Sequence, residues 1–98
     1  MTMIAVRMFE REGEVLLAAC DEELLDRTLR SDGMKLTVSR IFYMKAIVTE
    51  DEVKEMMSRA TTMNLVGNTT VSIARELGLV SGNVLRIEGI EHAQTVRM

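Results

Sequence analysis

Apolar and polar positions alternate imperfectly from Met3 to Phe9, with Ile4, Val6 and Met8 on one side and Met3, Ala5, Arg7 and Phe9 on the other. A period of two predicts a β-strand. Glu10-Arg11-Glu12-Gly13-Glu14 interrupts the pattern, and Val15 to Cys20 then runs apolar without a break. Two strands around a short Gly-containing loop predict a β-hairpin. The second strand, apolar on both faces, is expected at the centre of a sheet. Asp21 follows as an N-cap, and Glu22 and Glu23 suit the positive end of a helix dipole. A short helix from Glu22 to Arg30 is predicted, stapled by Cys20 and Leu25, with Leu25 and Leu29 on one face and Ser31-Asp32-Gly33 at its end. Met34 to Val38 alternates again and predicts a third strand.

Arg40 to Val48 contains no turn residue, and we read a bend over 40–44 followed by an extended piece over 45–48. Thr49 and Glu52 have capping-box spacing, and Val48 and Val53 are placed as a staple. Val53, Met56, Met57, Ala60, Met63 and Asn64 then recur with helical spacing, predicting a helix that buries one stripe. Gly67-Asn68 breaks that pattern. Thr69 to Leu77 resumes it, with Gly78 as the C′ residue. Ser81-Gly82-Asn83 reads as a turn, and Val84–Glu88 and Ala93–Met98 as a final hairpin around Gly89-Ile90-Glu91. Strands and helices do not alternate regularly. The order predicts an α+β fold: a two-layer single domain over residues 1–98, with a mostly antiparallel or mixed sheet and about three helices packed on it.

Composition sharpens this only in places. Nine Met stand against three aromatics, Phe9, Phe42 and Tyr43, so the core is expected to be aliphatic and thioether. There is no Pro, which leaves the chain breaks to Gly, caps and polar turns. The longest apolar run has six residues, far short of the roughly 18–20 that a membrane helix requires. No basic stretch followed by a long apolar run opens the chain, so no secretory leader is expected. With a single Cys, neither an intramolecular disulfide nor a multi-cysteine metal site is expected. These features together predict a cytoplasmic chain without cofactor or metal. A formal charge of −3 argues against a wholly basic nucleic-acid module. Yet Arg27, Arg30, Lys35, Arg40 and Lys45 face only Asp32 across residues 27–49, a local charge of +4.

Three phrases carry candidate chemistry. Cys20 lies beside a helix-start signal, where a thiolate is favoured, and His92 is the only base of its type; together they are a candidate nucleophile and base. Glu22 and Glu23 oppose that thiolate, and a buried Cys with a hairpin His reads the same residues structurally. Asn64-Leu65-Val66-Gly67-Asn68-Thr69-Thr70 is expected at a helix–helix junction, where free N–H groups suit an anion; a capped turn is the alternative. His92-Ala93-Gln94 on a strand offers two polar side chains to one side. The ligand-binding candidates are accordingly Asp21, Asn64, Gly67, Asn68 and Gln94.

Ala18-Ala19-Cys20-Asp21-Glu22-Glu23-Leu24-Leu25, Asn64-Leu65-Val66-Gly67 and His92-Ala93-Gln94, in this order, resemble an archaeal family of small uncharacterised proteins, domain of unknown function 424. The resemblance extends over essentially the whole chain. It implies an archaeal cytoplasmic protein without assigned activity and marks Cys20, Asp21, Asn64, Gly67, His92 and Gln94 as positions to watch. Some such archaeal families accompany the translation apparatus, which adds RNA or a translation-associated protein to the expected partners. The leading expectation is a non-enzymatic binding module. The alternative is a small hydrolase or transferase using Cys20 and His92. A homodimer formed through a sheet edge or a Met-rich face is a third expectation.

Overall fold

The computed structural model describes residues 2–82 and 84–96. Strands β1 (Ile4–Arg11) and β2 (Glu14–Asp21) form the expected first hairpin, antiparallel from Ile4↔Asp21 to Arg11↔Glu14. Its two turn residues, Glu12 and Gly13, both have positive φ (50° and 83°). That backbone matches the right-handed twist of the flanking strands. The same turn recurs at Asp32-Gly33, between β3 (Thr28–Ser31) and β4 (Met34–Thr37), and at Glu88-Gly89, between β7 (Leu85–Ile87) and β8 (Ile90–Val96). In a chain without Pro, an acidic residue followed by Gly makes each of these reversals.

Strand β5 (Ala46–Val48) closes one edge of the main sheet against β1, and β6 (Thr62–Val66) lies parallel to β2. The six-stranded order is β5-β1-β2-β6-β8-β7, a mixed sheet whose neighbours are otherwise antiparallel. Leu17, Ala18, Ala19 and Cys20 of β2 are fully buried, so the unbroken apolar run does form a central strand. Helices α2 (Glu50–Arg59) and α3 (Asn68–Glu76) cover one face, where Val53, Met57, Val71 and Ala74 pack on Ile4, Val6, Leu17 and Leu65. The other face receives the separate β3–β4 hairpin and the single turn α1 (Arg40–Tyr43), with Leu24, Leu29, Val38 and Tyr43 over Ala5, Ala18, Cys20 and Val66. The fold is α+β, as expected, with the hairpin added as a partial layer outside the sheet. No helix among the described residues is long and apolar enough to cross a membrane.

Three expectations change. The helix over 22–30 does not form. A single 3-10 turn spans Glu22–Leu24, Asp26 takes a positive φ of 68°, and the chain enters β3 at Thr28. Asp21 makes no side-chain cap to this turn. Leu29 is buried while Thr28 and Arg30 are exposed, a period of two set by pairing with β4. A helix of under ten residues is marginal in isolation, so tertiary pairing decides the segment.

The second change lies downstream. Helix α2 starts as predicted: Thr49 Oγ1 accepts from the Glu52 N–H at 3.2 Å, and the Glu52 carboxylate accepts from the Thr49 N–H at 2.9 Å. It stops at Arg59 and does not reach Asn64. The Thr61 N–H donates to the Val15 carbonyl at 2.8 Å, and the Val15 N–H to Thr61 Oγ1 at 2.8 Å, so the chain is captured by β2. Met63 and Asn64 therefore belong to β6, and residues 64–68 form a strand-to-helix junction. The bend over 40–44 is the α1 turn, and the extended piece that follows is β5. Helix α3 ends as predicted at Gly78 (φ 75°), where Leu79 N–H bonds the Ala74 carbonyl and Gly78 N–H the Arg75 carbonyl. The predicted turn at Ser81-Gly82-Asn83 falls partly outside the described residues, as does the end of the last predicted strand at Arg97-Met98. The final hairpin turns at Glu88-Gly89, so β8 already begins at Ile90.

Candidate functional site

Pairing across β2, β6 and β8 arranges side chains in rows on the hairpin side of the sheet. Cys20, Val66 and His92 form one row, and Ala18, Asn64 and Gln94 the next. Leu16, Thr62 and Val96 form the third. The first row runs toward the β3–β4 hairpin, beneath which Cys20 and Val66 are sealed. The second row is covered at Ala18, and both rows open toward β8: Asn64 is half-buried, Gln94 exposed, and Val96 73% exposed. No side chain in these two rows carries a charge.

Helix α1 walls one side of this floor. Tyr43, buried at 3% exposure, donates its hydroxyl to Asn64 Oδ1 at 2.5 Å. Burial raises the Tyr43 phenol above its ordinary pKa, and the neighbouring Cys20 raises it further, so the hydroxyl remains a donor. Phe42 stacks on Phe9 with ring centroids 5.6 Å apart and meets the Tyr43 ring edge-on at 4.9 Å. The Arg7 guanidinium lies 5.0 Å over the Phe9 ring and donates to the Ile41 carbonyl at 3.2 Å. Ile41 is 82% exposed.

Cys20 has the opposite environment. Burial, reinforced by the adjacent Asp21 charge, pushes its thiol up to about 12. Strand β6 separates it from β8, so the Cys20 and His92 backbones are two strand spacings apart, about 10 Å. His92 Nδ1 instead meets the Leu65 carbonyl at 2.9 Å. A carbonyl only accepts, so Nδ1 carries the proton. The structure does not bring the thiol and the imidazole together.

Asp21, Gly67 and Asn68 form a second group at the other side of the sheet. Asp21 follows Cys20 on β2, and strand alternation directs it toward α3. Its carboxylate accepts from the Thr69 N–H (3.2 Å), the Thr70 N–H (2.9 Å) and the Thr70 hydroxyl (2.7 Å). The free N–H groups expected to attract an anion are thus satisfied by the chain's own carboxylate. Gly67 has φ 120°, and a Cβ there would overlap the Asp21 carboxyl group. Asn68 joins α3 to the last hairpin: Nδ2 donates to the Gly89 carbonyl at 3.2 Å, and Oδ1 accepts from the Glu91 N–H at 2.9 Å. The Glu91 carboxylate in turn accepts from Arg75 at 2.9 Å, with Arg86 at 3.6 Å.

The seven expected residues therefore separate. Asn64, Gln94 and His92 share the hairpin-side face with Cys20, which is sealed there. Asp21, Gly67 and Asn68 brace α3. Tyr43, Phe9, Phe42 and Arg7 were not among the expected site residues. Their signal was present: Arg7 and Phe9 are two apart on a predicted strand, and Phe42-Tyr43 stands in a segment without turn residues.

Neither layer carries charge of one sign: Asp26 and Asp32 are exposed beside the cations of the hairpin side, and Lys54 and Arg59 lie among the acids of α2. Arg27, Arg30, Lys35, Arg40 and Lys45 are all exposed on the hairpin, α1 and the approach to β5. Arg40 bonds Asp26 at 2.9 Å. Asp51, Glu52 and Glu55 are exposed on α2, across the sheet. A cavity of about 200 Å³ on the helix side is lined by Ala60, Met63, Leu79, Thr95 and Val96 among others, with no ionisable side chain. No cluster of three or more His, Cys, Asp or Glu placed to hold a metal occurs among the described residues.

Fold and site together define a small α+β mixed-sheet protein with one face closed by helices and the other partly open. The chain belongs to the family described as Protein of unknown function (DUF424), which matches residues 9–98. It is similar to the crystal structure of an uncharacterized conserved protein from Methanopyrus kandleri, at 22% identity and a TM-score of 0.77. That similarity covers 98% of this chain and 94% of the other, and it concerns the fold. No curated protein matches the chain.

Proposed function

We propose that the protein is a non-enzymatic binding module that takes single-stranded RNA across the open part of its hairpin-side face. The observation that supports this reading best is the local excess of cations along residues 27–45. Five exposed cations and one exposed acid, Asp32, lie along that stretch, and the sheet rows Ala18-Asn64-Gln94 and Leu16-Thr62-Val96 on the same side carry no charge. Phosphates are attracted by clustered Lys and Arg even on a chain whose net charge is negative, because screening confines each field to about 8–10 Å. Unpaired bases need flat apolar or aromatic surfaces and uncharged hydrogen-bonding groups, which single-strand readers present on an open sheet. Leu16 and Phe42 supply the first, and Asn64 and Gln94 the second. Reaction chemistry has less support, since the thiol is sealed, protonated and apart from the imidazole.

Fluorescence anisotropy of a labelled single-stranded oligoribonucleotide tests this. Affinity is expected to fall with salt, by a log–log slope of about −0.7 for each phosphate contact. A shallow slope, or no binding at low salt, removes RNA as the partner.

A further inference from the structure

We infer that Asn64 and Gln94 form a nucleobase-reading subsite, with Tyr43 as the positioning residue that orients the Asn64 amide. The inference rests on the RNA reading above and deepens it. The two amides are direct cross-strand partners on β6 and β8. Opposed side chains on one face of an antiparallel pair stand about 4.5–5.5 Å apart at Cβ, close enough for both to meet one planar group. Tyr43 donates to Asn64 Oδ1, so the amide oxygen is turned to the phenol and the two N–H donors are left for a ligand. Gln94 is exposed and makes no hydrogen bond to a described residue, so it brings both a donor and an acceptor. Together they offer a neutral donor–acceptor surface. Such a surface complements the edge of a base and gives no advantage to a phosphate.

The neighbourhood fits a base in shape as well. The floor beside the amides is Leu16 and Thr62, half-buried and uncharged, and the Phe9–Phe42 stack stands next to Leu16. A buried phenol spending its one hydroxyl on Asn64 costs desolvation unless that bond is made. The arrangement holds the amide in one orientation before any ligand arrives, which lowers the ordering cost of binding.

The test compares labelled oligo(A), oligo(C), oligo(G) and oligo(U) of equal length, by anisotropy, against the wild type and the variants Asn64→Ala, Gln94→Ala and Tyr43→Phe. The wild type is expected to prefer one homopolymer by about tenfold, the scale of a good amide–base pair. Each variant should flatten that preference while leaving the salt slope unchanged. Arg30→Glu with Lys35→Glu should do the converse, weakening all four oligomers alike and reducing the slope. Gln94 is exposed, so its variant remains folded even if Asn64→Ala does not. A wild type that binds all four equally, or variants that retain its preference, overturn the subsite and leave RNA binding standing. A wild type that binds none of them overturns the RNA reading and the subsite with it. Binding of the wild type to an extended peptide in place of RNA would likewise end both.

Discussion

The two faces of one sheet handle their polar groups in opposite ways. On the helix side, the polar groups of Asp21, Asn68 and Glu91 at the α3 end are met by other parts of the chain. Asp21 receives three donors from Thr69 and Thr70, Asn68 spans to Gly89 and Glu91, and Glu91 receives Arg75. On the hairpin side, Tyr43 and Asn64 satisfy each other, and Gln94 beside them is left to solvent. Because successive residues of a strand point to opposite faces, Cys20 and Asp21, neighbours in sequence, serve these two regimes one residue apart. A closed network specifies and stabilises the fold, whereas an open amide pair offers its hydrogen bonds to something else. Function is therefore sought where the chain leaves its polar groups unmatched.

The largest expected effects lie on the closed side. Asp21→Ala strands two backbone N–H groups and a buried Thr hydroxyl, and should cost about 3–5 kcal/mol in urea unfolding. Gly67→Ala adds strain at φ 120° and an overlap with the Asp21 carboxyl, and should cost about 2–4 kcal/mol. Since the overlap is with Asp21 itself, the double variant should cost less than the sum of the two. Losses under about 1 kcal/mol for Asp21→Ala would break the comparison, because the carboxylate would then be dispensable to α3.

An intermediate effect is expected from Cys20. The unfolded thiol ionises near its ordinary 9.0, whereas the folded one stays protonated to about 12. As pH rises between these values, the unfolded chain loses the proton first and stability falls, by up to about 1.4 kcal/mol per pH unit. Below pH 9 this contribution is constant. Cys20→Ala should be the less stable protein at pH 7, yet should decline more gently in alkali, so the two melting temperatures converge. Parallel declines from about pH 8.5 to 11 would mean that the thiol is reached by water, and that the hairpin does not seal this part of the face. Tyr43, also raised by burial, adds an alkaline loss in both proteins, smaller in Cys20→Ala because the contribution of Cys20 is gone.

The features that were legible in the sequence are those whose partners are close along the chain. The Thr49–Glu52 capping box spans three residues, and the first hairpin closes around Glu12-Gly13. Asp21-Glu22-Glu23 carries the same local signature of a helix start, but the Asp21 carboxylate bonds residues 48 and 49 positions further on. No short window of sequence contains that competition. Asn64 reads as helical from the sequence because Met63 fits a helical stripe when read back to Val53 and a strand when read forward to Leu65. Asn64, His92 and Gln94 were still named as site residues, since polar groups in apolar surroundings are conspicuous in any secondary structure. That Asn64 stands opposite Gln94 depends on strand order, which includes the parallel β2–β6 pairing between segments far apart in the chain. Tyr43 was passed over because nothing local in Arg40–Val48 shows which side chain will reach the sheet.

The smallest effects sharpen the comparison most. Gln94→Ala should change stability by less than about 0.5 kcal/mol, as expected for an exposed side chain without a partner among the described residues. Asn64→Ala should cost about 1–2 kcal/mol, not because the amide packs well but because its loss strands the Tyr43 hydroxyl beneath α1. Tyr43→Phe removes that same hydroxyl, so adding it to Asn64→Ala should recover much of the loss. The resulting cycle is expected to show a coupling of about 1 kcal/mol. If the double variant is instead the sum of its parts, Tyr43 and Asn64 act independently, and the amide is not held by the phenol. Recovered stability together with lost RNA preference would be the signature of a polar pair kept for binding. The double variant Asn64→Ala with Tyr43→Phe then folds well and reads nothing, while Asp21 has no such substitute on the closed side.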